Sequence, residues 1–187
     1  MMTWKPLLAA AALLALSSAC AQEEIPGPAV GDTFPHTLSA PDQNGVMQSL
    51  ASLYGDKGAA VFFVRSADWC PFCRAQLGDI NTRLPEFKAL GLNVITVSVD
   101  EVPLIKKFAD AGKIDYTMLA DPAGDINESL GIRDLQYPVG SAAFGVPRPT
   151  LYIIDKSGKI RARYMEPTFR TRPDLNVVLA EAKTLNL

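Results

Sequence analysis

Two stretches of the chain are apolar without alternation. Residues 59–65 (AAVFFVR) and 92–99 (LNVITVSV) are rich in Val, Ile and Phe, the pattern of strands buried on both faces as in a parallel sheet. Between them Leu77, Ile80, Leu84 and Phe87 recur at helical spacing, which predicts a helix with one buried face, kinked by Pro85 and stopped by Gly91. Further helices are expected at 102–111 and 125–130, with a strand near 116–119. A Gly- and Pro-rich loop over 133–148 leads to two strands, 150–154 and 159–164, joined by Asp155-Lys156-Ser157-Gly158 and followed by a closing helix at 173–185. Ahead of the first buried strand, 36–38 and 46–48 flank Asp42-Gln43-Asn44-Gly45, a hairpin signal, and a short helix is expected at 49–54. Alternating strands and helices with a terminal hairpin give an α/β domain with a mixed sheet.

The first 21 residues do not belong to that domain. Lys5 precedes an unbroken apolar stretch, 7–16, and then Ser17-Ser18-Ala19-Cys20-Ala21, the order of a secretory signal too short to span a bilayer. Ala19-Cys20-Ala21 fits cleavage to a soluble protein starting at Gln22. Leu16 to Cys20 also resembles a lipobox, although Ser17 stands where an apolar residue is usual, and would place a lipid on Cys20. The expected location is the bacterial periplasm or cell envelope. Residues 22–31 (QEEIPGPAVG) read as a linker and 32–187 as one domain.

Composition narrows the function. With 187 residues the chain is long enough to close its core without disulfides or metals. Its 18 Lys plus Arg against 20 Asp plus Glu, with no basic run, speak against nucleic acid as a partner. Arg161, Arg163, Arg170 and Arg172 gather near the C-terminus with Glu166, a group that reads as a solvated face, with a partner or anion site as the other reading.

The chemistry centres on Trp69-Cys70-Pro71-Phe72-Cys73, where a buried strand hands over to a helix. Free backbone N–H groups and the helix dipole favour a thiolate at the helix start, which makes Cys70 the nucleophile. Cys73, one turn in, is the resolving thiol. Pro71 suits the first helical turn, and Trp69 would shield one side. Structural zinc lacks two further ligands, a purely structural disulfide across so small a loop restrains the unfolded chain little, and copper would need the pair together with His36, the one histidine. No cofactor or metal is expected for the redox reading; a non-enzymatic copper or other metal carrier remains an alternative.

Trp-Cys-x-x-Cys after a buried strand, with Pro149-Thr150-Leu151 opening a later one, resembles the thioredoxin fold. The fuller pattern, from Gly31-Asp32-Thr33-Phe34-Pro35 through FFVRSADWCPFCRAQL to PRPTLYIIDKSGKI, is similar to the alkyl hydroperoxide reductase/thiol-specific antioxidant, or peroxiredoxin-like, redoxins. The resemblance implies a three-layer thioredoxin-like fold with a mixed central sheet, an N-terminal β-hairpin extension and a central αβ insertion. It also implies a cis bond before Pro149, beside Cys70. Typical peroxiredoxins have a proline seven residues and a threonine three residues before the reactive cysteine, where this chain has Phe63 and Ala67. Ser66 is the substitute hydroxyl, and Arg65 or Arg148 the guanidinium for the departing oxygen. The chain is thus expected to be a thiol-disulfide oxidoreductase cycling Cys70 and Cys73 against protein or small-molecule disulfides. The alternative is a thiol peroxidase working through a Cys70 sulfenic acid, and either needs a thiol electron donor.

Overall fold

The computed structural model describes residues 26–35 and 37–185 together with Met1 and Leu187. The signal segment, Cys20 and His36 lie outside the described residues. Among the described residues seven strands and four helices follow in the order β1 (Ser39–Pro41), β2 (Met47–Ser49), β3 (Gly58–Phe63), α1 (Pro71–Ala89), β4 (Leu92–Ser98), α2 (Val102–Gly112), β5 (Thr117–Ala120), α3 (Asp125–Ser129), β6 (Thr150–Asp155), β7 (Ile160–Met165) and α4 (Leu175–Ala182). A single 3-10 turn, Leu50–Leu53, takes the place of the short helix expected there.

β3 to β7 form one mixed sheet in the order β5-β4-β3-β6-β7, parallel from β3 through β4 to β5 and antiparallel at β3–β6 and β6–β7. β3 is central, and all six of its residues are buried. Alternation sends its side chains into two cores. Ala60 and Phe62 meet Leu77, Ile80 and Phe87 of α1 and Val178 and Leu179 of α4, while Ala59, Val61 and Phe63 meet Phe34, Leu50, Ile126 and Tyr152 on the other face. The unbroken apolar runs in the sequence are the signature of this two-sided burial. Gly58 starts β3 with φ of 141°, and a Cβ there would lie 1.9 Å from the Ile154 carbonyl oxygen, so β6 can pair at this register only against glycine.

Local chemistry moved several boundaries. The hairpin strands begin at Ser39 and Met47 rather than 36 and 46. The Asp42 carboxylate accepts from the backbone N–H of Asn44 and Val46 and from the Gln48 amide, closing the turn tightly after Pro41. Gln43 then reaches the open edge of β5, donating to the Tyr116 carbonyl and accepting from Met118 N–H. α1 continues through Pro85 to Ala89 because Leu84 and Phe87 on either side of it are locked in the core. Gly91, at φ of 75°, supplies the left-handed turn after it. α4 starts at Leu175 because Asp174 caps it, accepting from Asn176 N–H.

The segment before Asp32 is held to the domain. Arg163 on β7 donates to the carbonyls of Gly27 and Pro28 at 3.1 and 2.9 Å, and Gly31 N–H donates to the Ile160 carbonyl. No described helix is long and apolar enough to cross a membrane.

Candidate active site

Cys70 and Cys73 are joined by a disulfide across the first turn of α1, with Cα atoms 5.3 Å apart. Cys70 is the N-cap: its backbone is extended, Pro71 follows at the first helical position, and its Sγ accepts from Cys73 N–H at 3.3 Å. The helix therefore directs its free N–H groups at this sulfur. Both cysteines are buried, at 2% and 0% exposure. Trp69 and Phe72 stand beside them, 44% and 40% exposed.

The loop carrying Cys70 is held by a buried network that starts at the end of β4. The Asp100 carboxylate accepts from Ser66 Oγ at 2.6 Å, Ala67 N–H at 2.6 Å and Ser98 Oγ at 2.8 Å. Ser66 Oγ in turn accepts from the backbone N–H of Asp68 and Trp69 at 2.9 and 3.0 Å. The Ser66 hydroxyl proton is thus committed to Asp100, and its lone pairs to the turn that leads into α1. Its place here is that of a loop clasp.

Two guanidiniums stand in the same region. Arg65 is 95% buried and sits over the rings of Phe169, Tyr137 and Trp69, 4.5, 4.9 and 5.2 Å from their centroids, with Nε unpartnered. Arg172, from the loop before α4, donates from Nη2 to Cys73 Sγ at 3.1 Å and from Nε to the Gln76 side-chain oxygen at 2.6 Å. Burial, and then the charge of Arg65, pulls the Arg172 guanidinium below its ordinary value, with Glu166 opposing. The four clustered arginines therefore separate: Arg161 pairs with Asp155, Arg163 holds the N-terminal segment, Arg170 lies over Phe169, and Arg172 meets the cysteine pair.

Arg148 and Pro149 line a cleft of about 450 Å³ with Asp134, Glu166 and Phe169. A second cleft of about 480 Å³ runs between α1 and the Arg172 loop, lined by Phe72, Gln76 and Arg172. Phe72 and Phe169 meet edge to face at 6.1 Å, so the two clefts abut. The expected cis bond before Pro149 is absent, because the described residues contain no cis peptide. Arg148 N–H donates to the Ile132 carbonyl, Thr150 Oγ1 donates to the Arg148 carbonyl, and Glu166 N–H donates to the Pro149 carbonyl. These bonds anchor the approach to β6, and trans is the lower-energy isomer.

Of the expected site residues, Cys70, Cys73, Trp69 and Ser66 come together, while Arg148 and Pro149 form the wall of the neighbouring cleft. Arg172, Asp100, Gln76 and Phe169 are additions. Ser98-x-Asp100 at the end of a buried strand was a visible signal for one of them; Arg172 lies 99 residues from Cys73, and no local pattern sets it apart from its three neighbours. Among the described residues no three His, Cys, Asp or Glu side chains gather as a metal site requires.

Known proteins resemble this chain in sequence and in fold. A Mycobacterium tuberculosis (strain ATCC 25618 / H37Rv) protein named as a candidate peroxiredoxin is 32% identical over 130 residues, 70% of this chain and 80% of the relative. Peroxiredoxin Bcp of Escherichia coli (strain K12) is 27% identical over 149 residues, 80% of this chain and 92% of the relative. The crystal structure of peroxidoxin BcpB from Mycobacterium tuberculosis superposes with a TM-score of 0.70 at 24% identity, covering 83% of this chain and 96% of that one, which shows the thioredoxin-like peroxiredoxin fold. The family model described as AhpC/TSA matches residues 30–163, a span from the N-terminal segment through the cysteine pair into β7, and the chain belongs to that family.

Proposed function

We propose that the chain is a thiol peroxidase that reduces hydroperoxides through Cys70 and stores the oxidising equivalent as the Cys70–Cys73 disulfide. The observation that carries this reading is the disulfide itself, closed between the N-cap of α1 and the next turn with both cysteines buried. A hydroperoxide is small enough to approach such a sulfur, whereas a folded substrate would have to displace the side chains around it. The Cys70 thiolate, favoured by the α1 N-terminus, attacks the outer peroxide oxygen. The O–O bond breaks, the alcohol or water leaves with a proton, and Cys70 becomes a sulfenic acid. Cys73 then attacks that sulfur and water departs, closing the disulfide. An external thiol donor returns the pair to the dithiol.

The test is peroxide consumption driven by dithiothreitol. Wild type should turn over. Cys70→Ser should be inactive, and Cys73→Ser should stop at a sulfenic acid or a mixed disulfide. Wild-type consumption no faster than that of Cys70→Ser would overturn the reading. A second reading, exchange with protein disulfides, is favoured by the exposed Trp69 and Phe72 beside the pair, which offer an apolar rim to a partner. Reduction of a model protein disulfide without peroxide turnover would select it. We also propose export to the cell envelope, with lipidation of Cys20 as one form, on the strength of Lys5, the apolar 7–16 stretch and the small residues after it. Detergent partitioning that Cys20→Ala abolishes would support the lipid; a mature N-terminus at Gln22 would support the soluble form.

A further inference from the structure

Arg172 is surrounded by neutral acceptors. Its Nη1 donates to the carbonyls of Phe169 and Thr171 at 2.9 and 2.6 Å, its Nε goes to Gln76, and Nη2 is left for Cys73 Sγ. No carboxylate pairs with it among the described residues, and Arg65 adds a second positive charge nearby. In the oxidised state the sulfur that it meets is half of a neutral disulfide, a weak acceptor for so strong a donor. Reduction turns that sulfur into a thiol able to ionise, and only then does the guanidinium gain a counter-ion.

We propose that Arg172 is a catalytic residue that holds Cys73 as a thiolate and so drives the resolving step. This deepens the peroxidase reading and rests on it for the role of Cys73. The step needs such a device, because a resolving thiol must lose its proton before it attacks, and a free cysteine at pH 7 is only a few per cent ionised. Among the described residues, no histidine or carboxylate is hydrogen-bonded to Cys73 Sγ; the side chain that is belongs to Arg172. The charged groups bearing on this pair are Arg65, which adds to the positive field, and Glu166, which reduces it. With Cys73 ionised, its sulfur attacks the Cys70 sulfenic sulfur. The S–S bond forms, the S–O bond breaks, and hydroxide leaves to take a proton from solvent. No oxidant enters beyond the peroxide already consumed.

The experiment titrates Cys73 alone. In the full chain carrying Cys20→Ala and Cys70→Ser, thiolate absorbance at 240 nm is followed against pH, with and without Arg172→Met. Cys73 should titrate below the free-cysteine value of about 8.5. Arg172→Met should raise it by about one unit or more, a roughly tenfold loss of thiolate at neutral pH, and Arg172→Lys should recover part of the shift. Gln76→Ala, which frees Nε but keeps the charge, should shift it in the same direction by less. It also serves if Arg172→Met does not fold. A Cys73 titration unmoved by these changes would overturn the proposal, as would a wild-type value at or above 8.5. No peroxide is involved, so a protein with no peroxidase activity refutes the function proposed above without touching this result. In the protein with its native cysteines, Arg172→Met should also accumulate Cys70 sulfenic acid after one equivalent of hydrogen peroxide, detected as its dimedone adduct.

Discussion

Replacing Ser66 with alanine separates a loop clasp from a catalytic hydroxyl. The substitution removes one hydrogen bond to the buried Asp100 carboxylate and strips the acceptor from two backbone N–H groups, those of Asp68 and Trp69. A hydrogen bond to a charged group contributes about 1.5 to 3 kcal/mol, and each N–H left partly buried without a partner adds up to about 1 kcal/mol. Asp100 keeps Ala67 N–H and Ser98 Oγ, which limits the damage on its side. The expected loss is therefore about 2 to 4 kcal/mol. Urea unfolding of the oxidised protein reads it as a midpoint lowered by roughly 1 to 2 M for a slope of about 2 kcal/mol/M, the middle of the usual range. Because both side chains belong to one network, Ser66→Ala should cost markedly less in an Asp100→Asn background, a non-additivity above about 1 kcal/mol. Peroxide consumption at a temperature where both proteins are folded should fall modestly. A loss of stability under about 0.5 kcal/mol combined with abolished turnover would refute the clasp and return Ser66 to the chemistry.

Three further outcomes follow from the packing and charge. Burial pushes Asp121 up to about 6, against the backbone N–H groups of Ile126 and Asn127, and a carboxyl raised on folding stabilises below its unfolded value and loses that contribution as pH climbs to 6. Wild type should thus lose on the order of 2 kcal/mol relative to Asp121→Asn between about pH 4 and 7, read from paired urea curves; parallel pH profiles would contradict it. Gly58→Ala drives a methyl into the Ile154 carbonyl and should cost more than about 4 kcal/mol, seen as loss of soluble folded protein or a collapsed thermal midpoint. Arg163→Met releases the carbonyls of Gly27 and Pro28, so limited proteolysis should cut the chain near residues 26–31 much faster while the Cys70–Cys73 pair still cycles.

The elements of the sheet were legible because two-sided burial leaves little freedom in composition. Phe62 and Phe63 point to opposite cores, and both must be apolar. The cysteine pair was legible for the same local reason, since a strand end, a proline and a helix start occur within a few residues. What the sequence hid is held by contacts far apart along the chain. The sequence offers Ser66 as a substitute hydroxyl, and nothing local announces that Asp100, just past the end of the neighbouring parallel strand, takes its proton at 2.6 Å. The thioredoxin likeness implies a cis bond before Pro149, but the described residues hold none; Arg148 beside it is tied to Ile132, a residue with no marker of that contact in the sequence. Arg172 was one arginine among four, and only the path of the chain before α4 distinguishes it.

The 99-residue separation between Cys73 and Arg172 also bears on how the enzyme is made. A chain emerging from the ribosome presents both thiols while the segment bearing Arg172 has yet to appear. In that interval the Cys73 sulfur lacks the Arg172 donor that meets it in the finished fold. Arg172 can meet Cys73 only once the segment before α4 packs against α1. Chains truncated before residue 172 should therefore carry the sulfurs with Arg65 nearby but without the guanidinium that reaches Cys73.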